Sequence, residues 1–515
     1  MNLVTVLFCA IIIFLLCYLC VRWRYSYWAR VGLDYLEPEY FYGNTRELSK
    51  KKVSMGDQFA NIYRAMKAKG FKHGGFYFFI NPVYMPVDLD FLKNVLQIDF
   101  AHFVNHGIYV NEEFDPLSGH LFAMEDEKWR RLRSKISHTF TAGKIKMMYQ
   151  TLLACSTGLK DVLEEHARIQ DAVDIKDVVA RFTTDVIASI GFGLECNSLK
   201  DPNAEFRDKG RKIFELDGVQ RLKETATFIL NKKVLQLFNI KFLTEEVNTF
   251  FLNVVQDTIK YRETNNVYRK DFVHLLLQLK NRGKVADDEF ITKRDGEEDG
   301  PDFINFNEFA AQCMFFFIAG FETSATTMSF ALLELAINQE IQDKLREEFR
   351  GVLKKYDGEL TYEAVMEMKY LDKVVYETLR KHPSAPIVPR VCTKNYRVPG
   401  TDVTIEKGTQ VLIPILGIHH DPEIYPDPET FDPERFNEEN KAARHSAAFL
   451  AFGEGPRYCL GARLGLLQIK VGLITILNNY KVNVHKKTQL PIKYVSHRFV
   501  LAVDGGVWLT VSNIE

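Results

Sequence analysis

Cys459 closes a glycine-rich turn, Phe452-Gly453-Glu454-Gly455-Pro456-Arg457-Tyr458-Cys459-Leu460-Gly461, and an apolar run follows it directly. A helix N-terminus and a nearby arginine both favour a thiolate over a thiol. Gly455 and Pro456 set a tight turn that presents the sulfur. Gly461 lets the first helical turn approach a flat ligand closely. Phe452 is placed to cover the sulfur and keep water out, and Arg457 to pair with an acid group on the same ligand. Cys9, Cys17 and Cys20 lie in an N-terminal apolar run, while Cys155, Cys196, Cys313 and Cys392 are scattered without a C-x-x-C pair. That pattern is neither a disulfide framework nor a zinc cluster. One thiolate acting alone suits axial ligation of haem iron. The plain alternative is a buried cysteine ahead of a helix.

A second stretch with chemical content is Ala319-Gly320-Phe321-Glu322-Thr323. It lies inside Asn307–Asn338, 32 residues without proline, which as a helix would run roughly 48 Å. Cys313–Ile318 is apolar on every face, so this helix must be buried. Glu308, Gln312, Glu322 and Thr323 argue against a membrane span. Ala319 and Gly320 leave room for a flat cofactor, and Thr323 with Glu322 put a hydroxyl and an acid in an apolar setting. Taken alone, the same residues read as a kink with a back-bonded threonine. Trp129 and Arg133 are four apart and share a helix face, where an indole N–H and a guanidinium are good carboxylate donors. Glu377 and Arg380 are three apart and pair on one face. His102, His106 and His120 fall in a long aromatic loop, Phe100–Leu121, and read as loop polarity without metal-ligand spacing.

The chain has 515 residues, 46% hydrophobic and 13% aromatic with 39 Phe, enough for a thick core around a large apolar cavity. A net charge of −1 gives no sign of a nucleic-acid partner. Residues 1–21 carry no charge, and Leu3–Val21 as a helix would span roughly 28 Å, one hydrocarbon core. The run starts neutral and ends at Leu19-Cys20-Val21-Arg22, so it reads as a permanent signal anchor rather than a cleaved signal. Arg22, Arg24 and Arg30 precede the first acid, Asp34, which puts the rest of the chain in the cytosol. Trp23, Tyr25, Tyr27 and Trp28 suit an interfacial belt, and Leu33–Asn44 reads as a linker. Gly74–Val87 predicts two strands turning at Asn81-Pro82. Lys146–Leu279 is helical in pattern, and Asp287–Asp302 reads as a solvated loop. Pro399–Leu416 and Asp421–Phe436 read as strands and coil, Leu460–Asn479 as an apolar helix, and Val482–Val511 as strands with a turn at Asp504-Gly505-Gly506.

The pattern Phe-x-x-Gly-x-Arg-x-Cys-x-Gly closely resembles the haem-binding loop of the cytochromes P-450. The anchor, the Trp129/Arg133 helix, Ala-Gly-x-Glu-Thr, Glu-x-x-Arg, Pro433-Glu434-Arg435-Phe436 and the cysteine loop occur in that family's order along nearly the whole chain. The resemblance implies a mainly helical P-450 fold with a minor β-region behind one transmembrane helix. It divides the chain into an anchor (1–21), a flank and linker (22–44) and one catalytic unit (45–515). It implies haem b with Cys459 as the axial iron ligand, and Trp129, Arg133 and Arg390 on the propionates. Thr323 orients dioxygen and its water, Glu322 serves proton delivery, and Glu377, Arg380 and Arg435 form a buried network. Stretches such as Tyr35-Leu36-Glu37-Pro38-Glu39 and Arg390-Val391-Cys392-Thr393-Lys394 look most like insect microsomal members that clear toxicants.

The implied activity is insertion of one atom of dioxygen into an apolar small molecule at the endoplasmic reticulum membrane. Electrons would come from NADPH through NADPH–cytochrome P-450 reductase, with cytochrome b5 as an optional second partner. Family placement puts Phe103, Phe114, Phe122, Phe309, Phe316, Phe317, Ile387 and Val388 around the substrate, with Phe206–Phe251 as a lid. Three alternatives stay open: oxidation of an endogenous lipid or hormone, a haem-thiolate isomerase or dehydratase, and a haem sensor without turnover.

Overall fold

The computed structural model describes residues 3–214, 218–230, 232–241, 243–285, 303–496 and 498–514; the charged stretch Asp287–Asp302 lies outside them. The protein is mainly helical, with three small sheets. The long helix runs Phe306–Ile337 and is buried over most of its length. Asn305 opens it with a capping box: its side chain accepts the Glu308 N–H, and the Glu308 carboxylate accepts the Asn305 N–H. Helices Ile175–Ile187 and Ala462–Leu477 flank it at close range. A Cβ on Gly472 would meet Met328 Sδ at 2.5 Å and Phe182 at 3.0 Å. This tight packing holds the cysteine loop, at the head of Ala462–Leu477, against the long helix.

The predicted hairpin forms as His73–Phe78 against Asn81–Pro86, with Tyr77 opposite Pro82. The turn sits at Phe79-Ile80 instead of Asn81-Pro82, with Phe79 at a φ of 51°. Asn81-Pro86 then runs parallel to Gln410–Ile413, which pairs antiparallel with Val388–Val391. The C-terminal strands Tyr480–Val484 and Trp508–Asn513 pair antiparallel, and Ala172–Asp174 adds a third. Gly505 and Gly506 both take positive φ in the turn before the last strand.

Leu3–Tyr25 is one helix, exposed from Leu3 to Cys20 and apolar enough to cross a bilayer. Leu33–Asn44 is not a free linker, which corrects the sequence reading: the Leu36 N–H donates to Gly75 O at 2.9 Å and the Asn44 N–H to Tyr77 O at 2.8 Å. Trp28 is fully buried, lies against Gly75 where a Cβ would come within 2.5 Å of the indole, and donates from Nε1 to Phe76 O at 3.1 Å. Tyr25 is buried as well, and its hydroxyl accepts the Gly43 N–H at 3.2 Å. Of the four aromatics assigned to an interfacial belt, only Trp23 is exposed. A fixed side of apolar surface on the first strand needed covering, and the flank covers it.

Candidate active site

Gly453 and Gly455 both have a φ of 72°. A Cβ on Gly455 would sit 1.9 Å from Leu96 O, so the turn requires glycine there. The Cys459 N–H donates to Phe452 O at 2.8 Å and closes the loop. Gly461 caps the next helix, and the Gly461 and Ala462 amides favour negative charge on the sulfur, as does Arg133. Desolvation by the surrounding protein outweighs them and pushes the thiol up from its ordinary value, although the residue is open on one side. A cation at the sulfur would reverse that balance. Among the cysteines beyond the anchor helix, Cys459 alone is exposed. A Cβ on Gly461 would meet only Phe140, at 3.9 Å, so the space above this glycine is open.

Three guanidiniums gather nearby, and none has an ion-pair partner among the described residues. Arg133 donates to Tyr458 O at 2.8 Å. Arg457 stacks 4.1 Å over the Trp129 ring and donates to the carbonyls of Val104 (2.9 Å), Leu121 (3.1 Å) and Met124 (2.7 Å). Most of its donors are therefore spent on tying the cysteine turn to the 104–124 loop, a role the sequence did not reveal. Arg390 is fully buried, donates only to Pro389 O at 3.0 Å, and leaves its Nε without a partner. Burial pulls Arg390 down to about 9; burial first, then Arg390 and Arg133, does the same to Arg457. The Trp129 indole N–H makes no hydrogen bond among the described residues. A buried cation without a counter-charge is costly, and a flat group carrying two carboxylates would satisfy this donor set. The residues present fit haem b.

The opposite wall is the long helix. Between Phe309 and Ser329 its part-exposed or exposed residues are Phe315, Ile318, Ala319, Gly320 and Thr323, and Phe315, Ala319 and Thr323, spaced by four, line up along one face. Phe122 and His120 of the loop stack on Phe315, at 5.8 and 4.3 Å between ring centres. Thr323 Oγ1 donates to Ala319 O at 2.6 Å, while Thr323 O accepts from Thr327 Oγ1 (2.9 Å) and Ser384 Oγ (3.2 Å). Glu322 is buried and points the other way, to Lys176 Nζ at 3.1 Å; Lys176 also donates to Thr326 Oγ1 at 2.8 Å. Burial lowers Lys176, and Glu322 partly offsets it. Lys176 was not singled out in the sequence because it lies on another helix.

Other assignments need correcting. A Cβ on Gly320 would strike Ile187 at 2.5 Å, so this glycine serves close helix–helix approach and does not face the cysteine. Phe316 stacks on Phe272 at 4.4 Å, and Phe317 packs among Phe206, Phe251 and Phe321. One residue is 100° of helix turn, so the neighbours of Phe315 face the core. Phe309 is fully buried in that core. Phe103 and Ile387 belong to a second core around the first sheet, with Phe103 against Tyr396 at 4.8 Å. Phe114 is exposed at the surface. Phe122 and Val388 are half-buried, and Phe452 is half-buried beside Tyr458. His106 and His120 are buried, not loop polarity.

Glu377, Arg380 and Arg435 do converge. Arg380 makes a two-pronged bond to the Glu377 carboxylate at 2.7 and 2.8 Å, and both side chains are fully buried. Arg435 Nε lies 3.5 Å from Glu377 Oε1, which also accepts the Asp432 N–H at 3.0 Å. Arg380 Nη1 donates to His419 O at 2.9 Å. His419 in turn donates from Nδ1 to Arg380 O at 3.1 Å and accepts the Leu450 N–H on Nε2 at 2.9 Å. Burial lowers this imidazole well below its ordinary value, so it stays neutral. The network thus reaches the cysteine loop through His419, which nothing in the sequence marked out.

The family model described as Cytochrome P450 matches residues 37–509. The chain belongs to the cytochrome P450 family. It is 42% identical to probable cytochrome P450 6a14 of Drosophila melanogaster, over 95% of this chain and 96% of that one. It is 41% identical to cytochrome P450 6a2 of the same fly, over 97% of each, and 40% identical to cytochrome P450 6A1 of Musca domestica, over 96% and 95%. This cytochrome P450 is therefore a monooxygenase that uses haem b, dioxygen and a small-molecule substrate.

Proposed function

We propose that this cytochrome P450 oxidises neutral, apolar small molecules, plant toxins and insecticides among them, with electrons drawn from NADPH through a reductase. Haem b, when bound, supplies dioxygen activation and oxygen-atom transfer. The protein's own part begins with Cys459, which holds the iron from the turn. Trp129, Arg133, Arg390 and the remaining Arg457 N–H hold the propionates. The observation that carries the substrate reading is the Phe315–Ala319–Thr323 face, apolar apart from a hydroxyl already donating to Ala319 O. Glu322, the acid next to Thr323 in the sequence, is turned to Lys176. Such a wall recognises by area and shape at roughly 25 cal/mol per Å², and a methylene discriminates weakly, so breadth is expected. A panel of neutral terpenoid and aromatic compounds against charged acids, scored by haem spectral shift and turnover, tests this. Preference for the acids, or strict selectivity for one sterol-like compound, overturns it.

On the Phe315–Ala319–Thr323 face, Thr323 carries the one exchangeable side-chain proton. To give it up, Thr323 Oγ1 must leave Ala319 O by rotating about χ1, and for Glu322 to resupply it the carboxylate would have to take the Lys176 ammonium proton and turn away from that lysine. Thr323→Ala is expected to keep haem and substrate binding while a larger share of NADPH electrons ends as peroxide, by several-fold. Unchanged coupling with normal product yield would leave Thr323 a helix back-bond only.

The anchor places the body at the endoplasmic reticulum membrane on the cytosolic side, a reading supported by Arg22, Arg24 and Arg30 directly after the apolar run. Protease added to intact microsomes should digest the body; protection of the body refutes this orientation.

A further inference from the structure

His120 is buried, yet its ring finds no hydrogen bond among the described residues. Its position is built, not incidental. Gln312, on the long helix, accepts the Leu121 N–H on Oε1 at 2.9 Å and donates from Nε2 to Gly119 O at 3.3 Å, bracketing His120 on both sides. The imidazole lies flat on Phe315, 4.3 Å between centres and 2° from parallel. Phe315 is one turn before Ala319 and two before Thr323, on the face assigned to the substrate. Nδ1 is sealed from solvent and unpartnered, whereas Nε2 is not among the sealed atoms. A sealed lone pair costs less than a sealed N–H, because an orphaned donor forfeits a stronger bond to water. The proton therefore belongs on Nε2, the open nitrogen. Burial pulls the imidazole down to about 3, so it is neutral at physiological pH and presents a donor without charge.

We infer that His120 is a specificity-determining residue, donating from Nε2 to a carbonyl or ether oxygen on neutral substrates that are otherwise apolar. The inference rests on the reading that the Phe315–Ala319–Thr323 face borders the substrate. It narrows that reading from apolar compounds in general to oxygen-bearing ones. Carboxylates gain little from an uncharged donor in an apolar setting and remain poor ligands.

The test uses the haem-loaded full chain and two probes that differ by one oxygen, the terpene ketone menthone and its hydrocarbon p-menthane. Binding is read by haem spectral shift and independently by equilibrium dialysis. His120→Phe keeps the ring stack and removes the donor; it is expected to weaken menthone roughly five- to tenfold, the loss of one neutral hydrogen bond, and to leave p-menthane within about twofold. His120→Gln keeps an N–H donor without the aromatic ring and is expected to retain most of the preference for menthone, whether or not the phenylalanine variant loads haem. Equal weakening of both probes, or no change for menthone, overturns the assignment while the apolar site stands. Failure of both probes to bind the unaltered protein overturns the apolar-site reading and this assignment with it.

Discussion

Cys459→Ala is expected to abolish the long-wavelength carbon monoxide band of a thiolate-bound haem and all turnover with NADPH and reductase. The sulfur is the only exposed one outside the anchor helix, and two helix-terminal amides and Arg133 are already arranged to stabilise its negative charge. Arg133, the side chain whose charge acts on the sulfur, is a cation and cannot ligate a metal in its place. Haem can still be held weakly in the variant through the guanidiniums and Trp129. The decisive reading is therefore the position of the carbon monoxide band, with haem content measured beside it. A band of unchanged position in Cys459→Ala would remove the thiolate assignment altogether.

Breaking the Glu377–Arg380 pair should be the most damaging change remote from the cysteine. Both groups are fully buried, and burial holds the Glu377 carboxyl above its ordinary value, with Arg380 pulling it back. Removing either partner leaves an uncompensated buried charge, at a cost of about 3–5 kcal/mol. The loss should also reach the cofactor, because Arg380 positions His419 and His419 holds the Leu450 N–H at the entrance to the cysteine loop. Glu377→Ala is thus expected to yield mostly haem-free protein with a lowered melting temperature. Arg380→Lys should not restore it, since an ammonium cannot reproduce the two-pronged bond. Full haem loading and an unchanged melting temperature in Glu377→Ala would show that the pair is dispensable.

The cysteine loop and the long helix were legible in the sequence because their constraints are local. Glycines at 453 and 455 are dictated by backbone sign and a close carbonyl, and the capping box at Asn305 marks a helix start by residue type alone. The pocket was less legible because phenylalanine looks the same whether it faces a ligand or a core. Stepping back by four from Thr323 selects Ala319 and Phe315, the residues that are open, and rejects Phe316 and Phe317. Helical phase carried that information and residue type did not. His419 and Lys176 were invisible because each acts through a partner far away in sequence. Trp28 failed as a belt residue and Leu33–Asn44 as a linker for the same reason: their partner strand lies dozens of residues downstream.

That docked flank sets where the chain can be shortened. A cut at residue 44, where the sequence seemed to pass from tether to body, would strip Trp28 from Gly75 and the Tyr25 hydroxyl from Phe79 O. It would also bare an apolar strand surface, and loss of a buried tryptophan alone costs about 3–5 kcal/mol. A cut before Trp23 removes the bilayer-spanning residues and keeps the seal. The frontier between dispensable and essential chain therefore lies close to the lipid headgroups. With Leu3–Tyr25 in a bilayer, the body would continue directly from its anchor rather than float on a cord.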